Sequence, residues 1–369
     1  MIVIADDITG AAEIAGIASE QGFPVQLLCA GGDVVGCDVV ATSGVTVIAT
    51  DTRSMSEEEA VAETRRIATL LPSIQGRGGA GSSSHLFKKT DSALRGHVVA
   101  ELKALMAATG YERAVYLPAN PSKGRIIRQG VYYIKEVREV PIAETAFSYD
   151  PEFPATTSVL EERFPDARKN GIVMTDAESE EDIRSVVAQY NDGKTLFAGA
   201  ADLFYAVLQT HPRPLPVMEG SEYHQDKKSS MLILCGSTQS KPLDLGIPIA
   251  PMPREVYDGS NDIDLWDCHV YDTVHSLILT MPFTHRTGKE AATHLRMVMA
   301  RKVKALVERH RPQSLIIEGG ATAWATLQML GWQQFDEVRQ IAPGVVQMRA
   351  ACGTLVTLKP GSYPWGGLF

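Results

Sequence analysis

Short apolar runs alternate along this chain with longer stretches whose apolar residues recur every three or four positions. The first run, Ile2–Ala5, is apolar throughout and reads as a strand buried on both faces. A helical pattern follows over 11–21, with Gly22 as its stop. Residues 45–50 read as another strand, after which Ser56 and Glu59 have the spacing of a capping box opening a helix over 57–71. Further strands are expected at 86–89, 114–117, 172–175 and 195–198, and a helix carrying Val98, Leu102, Leu105 and Met106 starts after Gly96. Residues 212–230, PRPLPVMEGSEYHQDKKSS, have no apolar period and are rich in proline and polar side chains. Strands at 231–235 and 314–317 and helices at about 288–310 and 322–330, the latter stopped by Gly331, follow. The alternation predicts two α/β domains with largely parallel, Rossmann-like sheets and an active-site cleft between them. The expected division is 1–218, a linker at 219–230, and 231–369.

Composition narrows the function classes. The chain has 369 residues, 44% hydrophobic and 21% charged, which is ordinary for a globular protein. A net charge of −9 argues against a general nucleic-acid binder but not against a small anionic ligand, because a few converging cations set the local field. No run reaches the length of a membrane span, and the start lacks a signal peptide's basic residues and long apolar core. The five cysteines are odd in number and contain no C-x-x-C, so reduced thiols in a cytoplasm are expected. No H-x-x-x-H or H-E-x-x-H pattern suggests zinc.

In open α/β sheets ligands sit beyond the carboxyl ends of strands. Three polar loops of the first half fall there: ADDITGA (5–11), DTRS (51–54) and KKTDSALRG (88–96). Arg95 is suited to gripping a carboxylate through two parallel hydrogen bonds, with Lys88 or Lys89 as a point charge. Asp6, Asp7 and Asp91 can accept hydrogen bonds from hydroxyls, and one can take a proton. A polyhydroxylated acid fits this set. The adjacent aspartates are not the Asp-x-Asp of aspartyl-phosphatases, and the Gly/Ser-rich GRGGAGSSS (76–84) leads into a strand, as a flexible loop would. In the second half, IIEGGATAWATL (316–327) and CGSTQS (235–240) put glycine after a strand, where backbone can approach phosphate. APGVV (342–346) and KPGSYPWGG (359–367) add glycine turns and a lysine, whereas TGK (287–289) lacks the rest of a phosphate loop. No G-x-G-x-x-G follows the first strand, against a dehydrogenase. Trp324, Trp332 and Trp365 read as packing, with Trp365 or Tyr363 the candidates to flank an adenine.

Taken in order, ADDITGAAEIAG, DTRS, KKTDSALRG, PANPSKGRIIRQGVYYI, VPIAETAFSYDPEFP, CGSTQ, EGGATA, APGVV and LVTLKPG resemble the four-carbon acid sugar kinases over nearly the whole chain. The resemblance implies phosphorylation of threonate, erythronate or 3-oxo-tetronate on the terminal hydroxyl with ATP and Mg²⁺. It implies an N-terminal domain that binds the acid through Asp6, Asp7, Lys89, Asp91, Ser92 and Arg95, with Arg53 and Arg125 as neighbours. Asp7, Asp6 or Asp91 would serve as base, Arg95 and Lys89 would fix the carboxylate, and Lys359 would neutralise charge on the transferred group. It implies a C-terminal domain that binds ATP around Ser237, Gly319, Gly320, Thr322, Gly344 and Gly361. The chain departs from the family's Gly-Gly-Asp-Thr at Gly319-Gly320-Ala321-Thr322, and from its Lys-Ser-Gly-x-Phe-Gly ending after Lys359. A sugar-acid sensor, or a degenerate kinase without nucleotide use, is therefore the alternative expectation. Small molecules are the expected partners, with no nucleic acid and no membrane; the size is compatible with a homodimer.

Overall fold

The computed structural model describes residues 1–31, 44–71, 86–135, 137–150, 152–212, 230–236, 243–282, 288–361, 365 and 368–369. In chain order the first half contains β1 (Ile2–Ala5), α1 (Ile8–Glu20), β2 (Val25–Cys29), β3 (Val45–Ala49), α2 (Glu57–Leu70), β4 (Leu86–Lys89), α3 (Val98–Thr109) and β5 (Arg113–Leu117). There follow β6 (Arg125–Arg128), β7 (Val131–Lys135), β8 (Glu139–Pro141), α4 (Leu160–Arg163), β9 (Ile172–Met174), α5 (Glu180–Tyr190), β10 (Thr195–Gly199) and α6 (Ala201–Gln209). The second half contains β11 (Met231–Cys235), β12 (Ile249–Pro251), α7 (Arg254–Tyr257), β13 (Ser276–Thr280), α8 (Lys289–His310) and β14 (Ser314–Glu318). It ends with α9 (Gly320–Leu330), β15 (Gln334–Ala342), β16 (Val345–Ala350) and β17 (Leu355–Lys359).

The chain folds as two compact α/β units, one of Met1–Pro24 with Gly32–Pro214, the other of Val25–Gly31 with Leu215–Phe369. In the first unit six parallel strands run in the order β3-β1-β4-β10-β5-β9. Their central members are buried at every position, the pattern of strands whose two faces are both covered. Phe87 on β4 meets Phe204 on α6 edge-to-face at 5.4 Å in this core. A separate antiparallel sheet, β6-β7-β8, follows β5. In the second unit β12-β13-β11-β14-β17 are parallel, and β16, β15 and β2 continue the sheet antiparallel.

Local chemistry sets the helix starts. The expected capping box is present: Ser56 Oγ accepts from the Glu59 N–H, and the Glu59 carboxylate accepts from the Ser56 N–H at 2.9 Å. Helix α1 begins at Ile8, earlier than the apolar period indicates, because Asp7 caps it by accepting from the Gly10 N–H at 3.0 Å. Helix α9 likewise begins two residues before its expected start, at Gly320.

Strands β2, β6–β8, β12 and β13 and the antiparallel run β15–β17 were not expected from the pattern. In β15 a register irregularity between Asp336 and Arg339 breaks the alternation that would have marked it. The two-segment division also differs from what forms, since 25–31 belongs with the second unit. There β2 pairs with β15, the Cys29 N–H bonds to the Gln333 carbonyl at 2.8 Å, and Gln328 and Gln333 donate to the carbonyls of Ala30 and Gly31. The 76–84 loop, nearly all of the 219–230 linker and Cys37 lie outside the described residues. Cys29, Cys235, Cys268 and Cys352 are not joined in disulfides. No described helix is long and apolar enough to cross a membrane.

Candidate active site

The first sheet's register puts Ala5, Ala49, Lys89, Gly199 and Leu117 level with one another, so the loops after β1, β3, β4, β10 and β5 leave from one edge. Asp6, Asp7, Arg53, Lys89, Asp91, Ser92, Arg95 and Arg125 all gather there. At the centre stands Arg53. Its Nε and Nη2 donate to the two oxygens of Asp6 at 3.1 and 3.0 Å, Nη2 also reaches Asp7 at 2.9 Å, and Nη1 lies 3.7 Å from Asp91. Arg95 grips Asp91 through Nε at 2.8 Å and Nη2 at 2.9 Å, and its Nη1 lies 3.4 Å from Asp150. The bidentate geometry expected of Arg95 toward a ligand is thus spent inside the protein. Lys89 Nζ donates to the Thr90 carbonyl at 2.9 Å and lies 3.8 Å from Glu13, which also pairs with Lys123.

The neighbours split the aspartates. Burial pushes the Asp6 carboxyl up, outweighing Arg53. Burial works the same way on Asp7, but Arg53, Lys89 and a hydrogen bond from Thr9 hold it below its ordinary value. Asp91 is also buried, yet Arg53 and Arg95 depress it far below the usual carboxylate range. Asp7 keeps 14% of its side-chain surface exposed against 3% for Asp6, so it combines charge with access. Asp91 accepts from the Ala93 N–H and from Arg95 on one oxygen and from Arg95 again on the other, which makes it a brace between two arginines.

Two glycines make room for this packing. A Cβ on Gly10 would lie 2.6 Å from Asp7 Oδ1 and 3.0 Å from Lys89 Nζ. Gly96 has φ +96 and faces Asp6, at the point where the chain turns into α3. Arg125 donates to the Ser92 hydroxyl and lies 5.7 Å from the Phe147 ring centroid, while the Tyr132 hydroxyl donates to the Ser92 carbonyl. Among the described residues Arg125 has no carboxylate partner, unlike Arg53, Lys89, Arg95 and Lys123.

Lys88 departs from expectation. Successive strand residues face opposite ways, and Lys88 turns from the cluster to pair with buried Glu101 at 2.6 Å. Glu13, Lys123 and Asp150 belong to the cluster although the sequence did not single them out. Lys123 and Asp150 lie within PANPSKGR and FSYDPEFP, and Glu13 lies one turn past Gly10 on α1, where a lone acid reads as helix surface.

In the second unit the register levels Cys235, Glu318 and Lys359, and β16 starts beside the end of β17. Gly319, Gly320, Thr322, Gly344, Lys359 and Gly361 therefore share one sheet edge; Ser237 lies outside the described residues. Gly319, at φ +96, starts α9 without a side-chain cap, which leaves the first helical N–H groups for an anion. Gly236 permits close approach to α9, since a Cβ there would meet Thr322 Oγ1 at 2.4 Å. Lys359 does not offer the free charge expected of it. Its ammonium pairs with Glu318 and donates to the carbonyls of Pro360 at 3.1 Å and Gly361 at 3.4 Å, beneath the Trp365 ring. Glu318, the partner the sequence did not flag, is fully buried, and its Oε2 has no hydrogen-bond partner. Burial, with the Glu318 charge, pushes the neighbouring Cys235 thiol up to about 12. Among the described residues no group of three or more His, Cys, Asp or Glu side chains is placed to hold a metal ion.

Two family models match this chain: a sugar-binding N-terminal domain over residues 1–167 and a nucleotide-binding C-terminal domain over 272–363. It belongs to the four-carbon acid sugar kinase family. A D-threonate kinase of Bordetella bronchiseptica is 34% identical over 158 residues, 42% of this chain and 36% of that protein. The match thus spans about a third of that relative's length. A 3-oxo-tetronate kinase of Pectobacterium atrosepticum is 22% identical, covering 98% of this chain and 95% of its own. A solved Salmonella typhimurium LT2 structure shares the fold with a TM-score of 0.69 at 19% identity, covering 98% of this chain and 96% of that one. The sugar-binding match contains every first-unit residue of the cluster, and the nucleotide-binding match contains the glycine turns at 319–320, 344 and 361.

Two outcomes follow from these buried charges. Asp91 is depressed on folding, so its stabilisation is complete above its unfolded value of 3.8 and is lost as pH falls below it. Urea unfolding between pH 4 and 2 is expected to show wild-type stability falling more steeply than that of Asp91→Asn, by about 1 kcal/mol per pH unit. Glu318→Gln leaves the Lys359 ammonium buried without its counter-charge and is expected to cost about 3 kcal/mol or more in the same assay. Glu318→Met with Lys359→Met is expected to recover most of that loss, because both desolvated charges are gone.

Proposed function

We propose that this protein is a kinase that moves the terminal phosphoryl group of ATP onto a hydroxyl of a four-carbon sugar acid of the threonate, erythronate or 3-oxo-tetronate type. The observation that carries it is the charge balance of the first unit's cluster. Arg53, Lys89, Arg95, Lys123 and Arg125 face Asp6, Asp7, Glu13, Asp91 and Asp150, five cations against five acids. Four of the cations already have acidic partners; Arg125 keeps its charge for an incoming carboxylate. Ser92 stands beside Arg125, and elsewhere on the same sheet edge Thr9 and the accessible oxygens of Asp7 are further hydroxyl-binding groups suited to a polyol. The names of the family's members point the same way.

In this mechanism Arg125 takes the acid's carboxylate and fixes its register, and Asp7 accepts the hydrogen bond of the attacking hydroxyl. Arg53 keeps Asp7 ionised, and Arg95 with Asp91 braces the loop that carries Ser92. A loose phosphoryl-transfer transition state asks mainly for such positioning and needs little from a strong base. On the nucleotide side the uncapped start of α9 and the turns at Gly344 and Gly361 fit phosphate oxygens. ATP, when bound there, would supply the transferred phosphoryl group, and Mg²⁺ would offset the charge of its phosphates. Lys359 shapes the Gly361 turn from below. A degenerate kinase that binds the acid alone is the second reading, favoured by exposed Ala321 where the family has aspartate and by the internal commitment of Lys359.

A coupled ADP-release assay over the threonates, erythronates and 3-oxo-tetronate, with calorimetry of the acid alone, separates the two. Turnover of at least one acid is expected. Acid binding without turnover or ATP binding would establish the degenerate form, and no binding of any acid would overturn both. Asp7→Asn is expected to lower kcat about 100-fold with little change in the acid's KM. Arg125→Met is expected to raise that KM on the order of 10- to 100-fold with kcat nearly kept.

A further inference from the structure

The Arg53 side chain leaves from a short turn that is held both locally and from distant elements. Residues 52–54 form a single 3₁₀ turn after Asp51, which sits at φ +54, and no side chain caps it. Within the turn the Ser54 hydroxyl donates to Asp51 Oδ1 at 3.2 Å and the Ser54 N–H to the Asp51 carbonyl at 3.0 Å; its remaining ties come from other elements. The Thr50 hydroxyl donates to the Ala5 carbonyl at 2.9 Å and lies 3.1 Å from the Thr52 hydroxyl, and the Arg53 N–H reaches the Asp6 carbonyl at 3.2 Å. The Thr52 hydroxyl donates to Glu101 Oε2 on α3 at 2.8 Å. Lys88 Nζ of β4 lies 2.6 Å from that same oxygen as an ion pair without hydrogen-bond geometry, and the Thr64 hydroxyl of α2 donates to it at 3.4 Å. Thr52, Thr64, Lys88 and Glu101 are each at most 1% exposed.

We infer that Thr52 and Glu101 are positioning residues: their hydrogen bond, anchored by Lys88, sets the place of the Arg53 guanidinium among Asp6, Asp7 and Asp91. A buried Lys–Glu pair is a poor stabiliser, because well-packed apolar residues commonly do as well, so its presence here points to geometry. Glu101 Oε2 joins three separate elements, α2, α3 and β4, to the turn, and the link runs through Thr52, the residue directly before Arg53. The alternation of β4 makes the arrangement possible: Lys89 faces the cluster while Lys88, one residue earlier, holds the support behind it. The consequence for activity rests on the sugar-acid reading of the cluster; the geometric claim does not.

Thr52→Val keeps the shape and removes the hydroxyl, and Thr52→Ser keeps the hydroxyl. Amide hydrogen exchange over residues 51–55 needs no substrate. It is expected to speed up at least tenfold in Thr52→Val and to stay within threefold of wild type in Thr52→Ser. If the kinase reading holds, kcat/KM for the acid falls at least tenfold in Thr52→Val, with nucleotide affinity unchanged, and recovers in Thr52→Ser. A second pair guards against misfolding. Lys88→Met with Glu101→Gln retains an acceptor for Thr52 and is expected to keep slow exchange, whereas Lys88→Met with Glu101→Leu is not. Equal exchange in Thr52→Val and Thr52→Ser, or in the two double variants, overturns the inference. Wild type without kinase activity overturns the sugar-acid reading alone.

Discussion

One guanidinium organises the first unit. Arg53 meets three aspartates from two other loops, and each of those carboxylates is buried deeply enough that it could not stay charged alone. The loops after β1, β3 and β4 are therefore not independent: moving any one strands a charge on the others. Burial also differentiates neighbours that look equivalent in sequence. Asp6 and Asp7 are adjacent and touch the same arginine, yet one is pushed toward protonation and the other held ionised.

The second unit solves a similar problem with fewer groups. Glu318 and Lys359 end neighbouring parallel strands, and their pairing ties the strand–helix junction at Gly319 to the turn at Gly361. The charges face inward and the backbone faces out. If this edge is the phosphate site proposed above, it would recognise phosphate by unsubstituted amides and helix ends, so its side chains could diverge while the shape persists. That is consistent with a chain that keeps the glycines but has Ala321 at the position where the family resemblance implies an aspartate.

Much of this was legible in the sequence, for identifiable reasons. Buried parallel strands leave unbroken apolar runs, and polar loops directly after them mark a sheet's carboxyl edge, so Asp6, Asp7, Arg53, Asp91 and Arg95 could be grouped without coordinates. The capping box at Ser56 is a purely local signal and formed as read. What could not be read were partnerships between distant residues. Nothing local says that Arg95 is occupied by Asp91, that Lys88 turns to Glu101, or that Lys359 closes on Glu318. The antiparallel strands were hidden for the same cause: β15 is irregular, and β2 acquires its role from a partner some 300 positions away.

That last pairing has a consequence for how the protein can be divided. Because 25–31 fills the edge of the second sheet, the chain crosses between units three times, at 24–25, 31–32 and 214–215. No single cut yields two intact halves. A fragment beginning at Leu215 would leave β15 with an open ladder of unmet N–H and C=O groups, an invitation to pair with another copy. During synthesis the strand that finishes the second unit is made near the beginning, and it must wait until the final third of the polypeptide emerges.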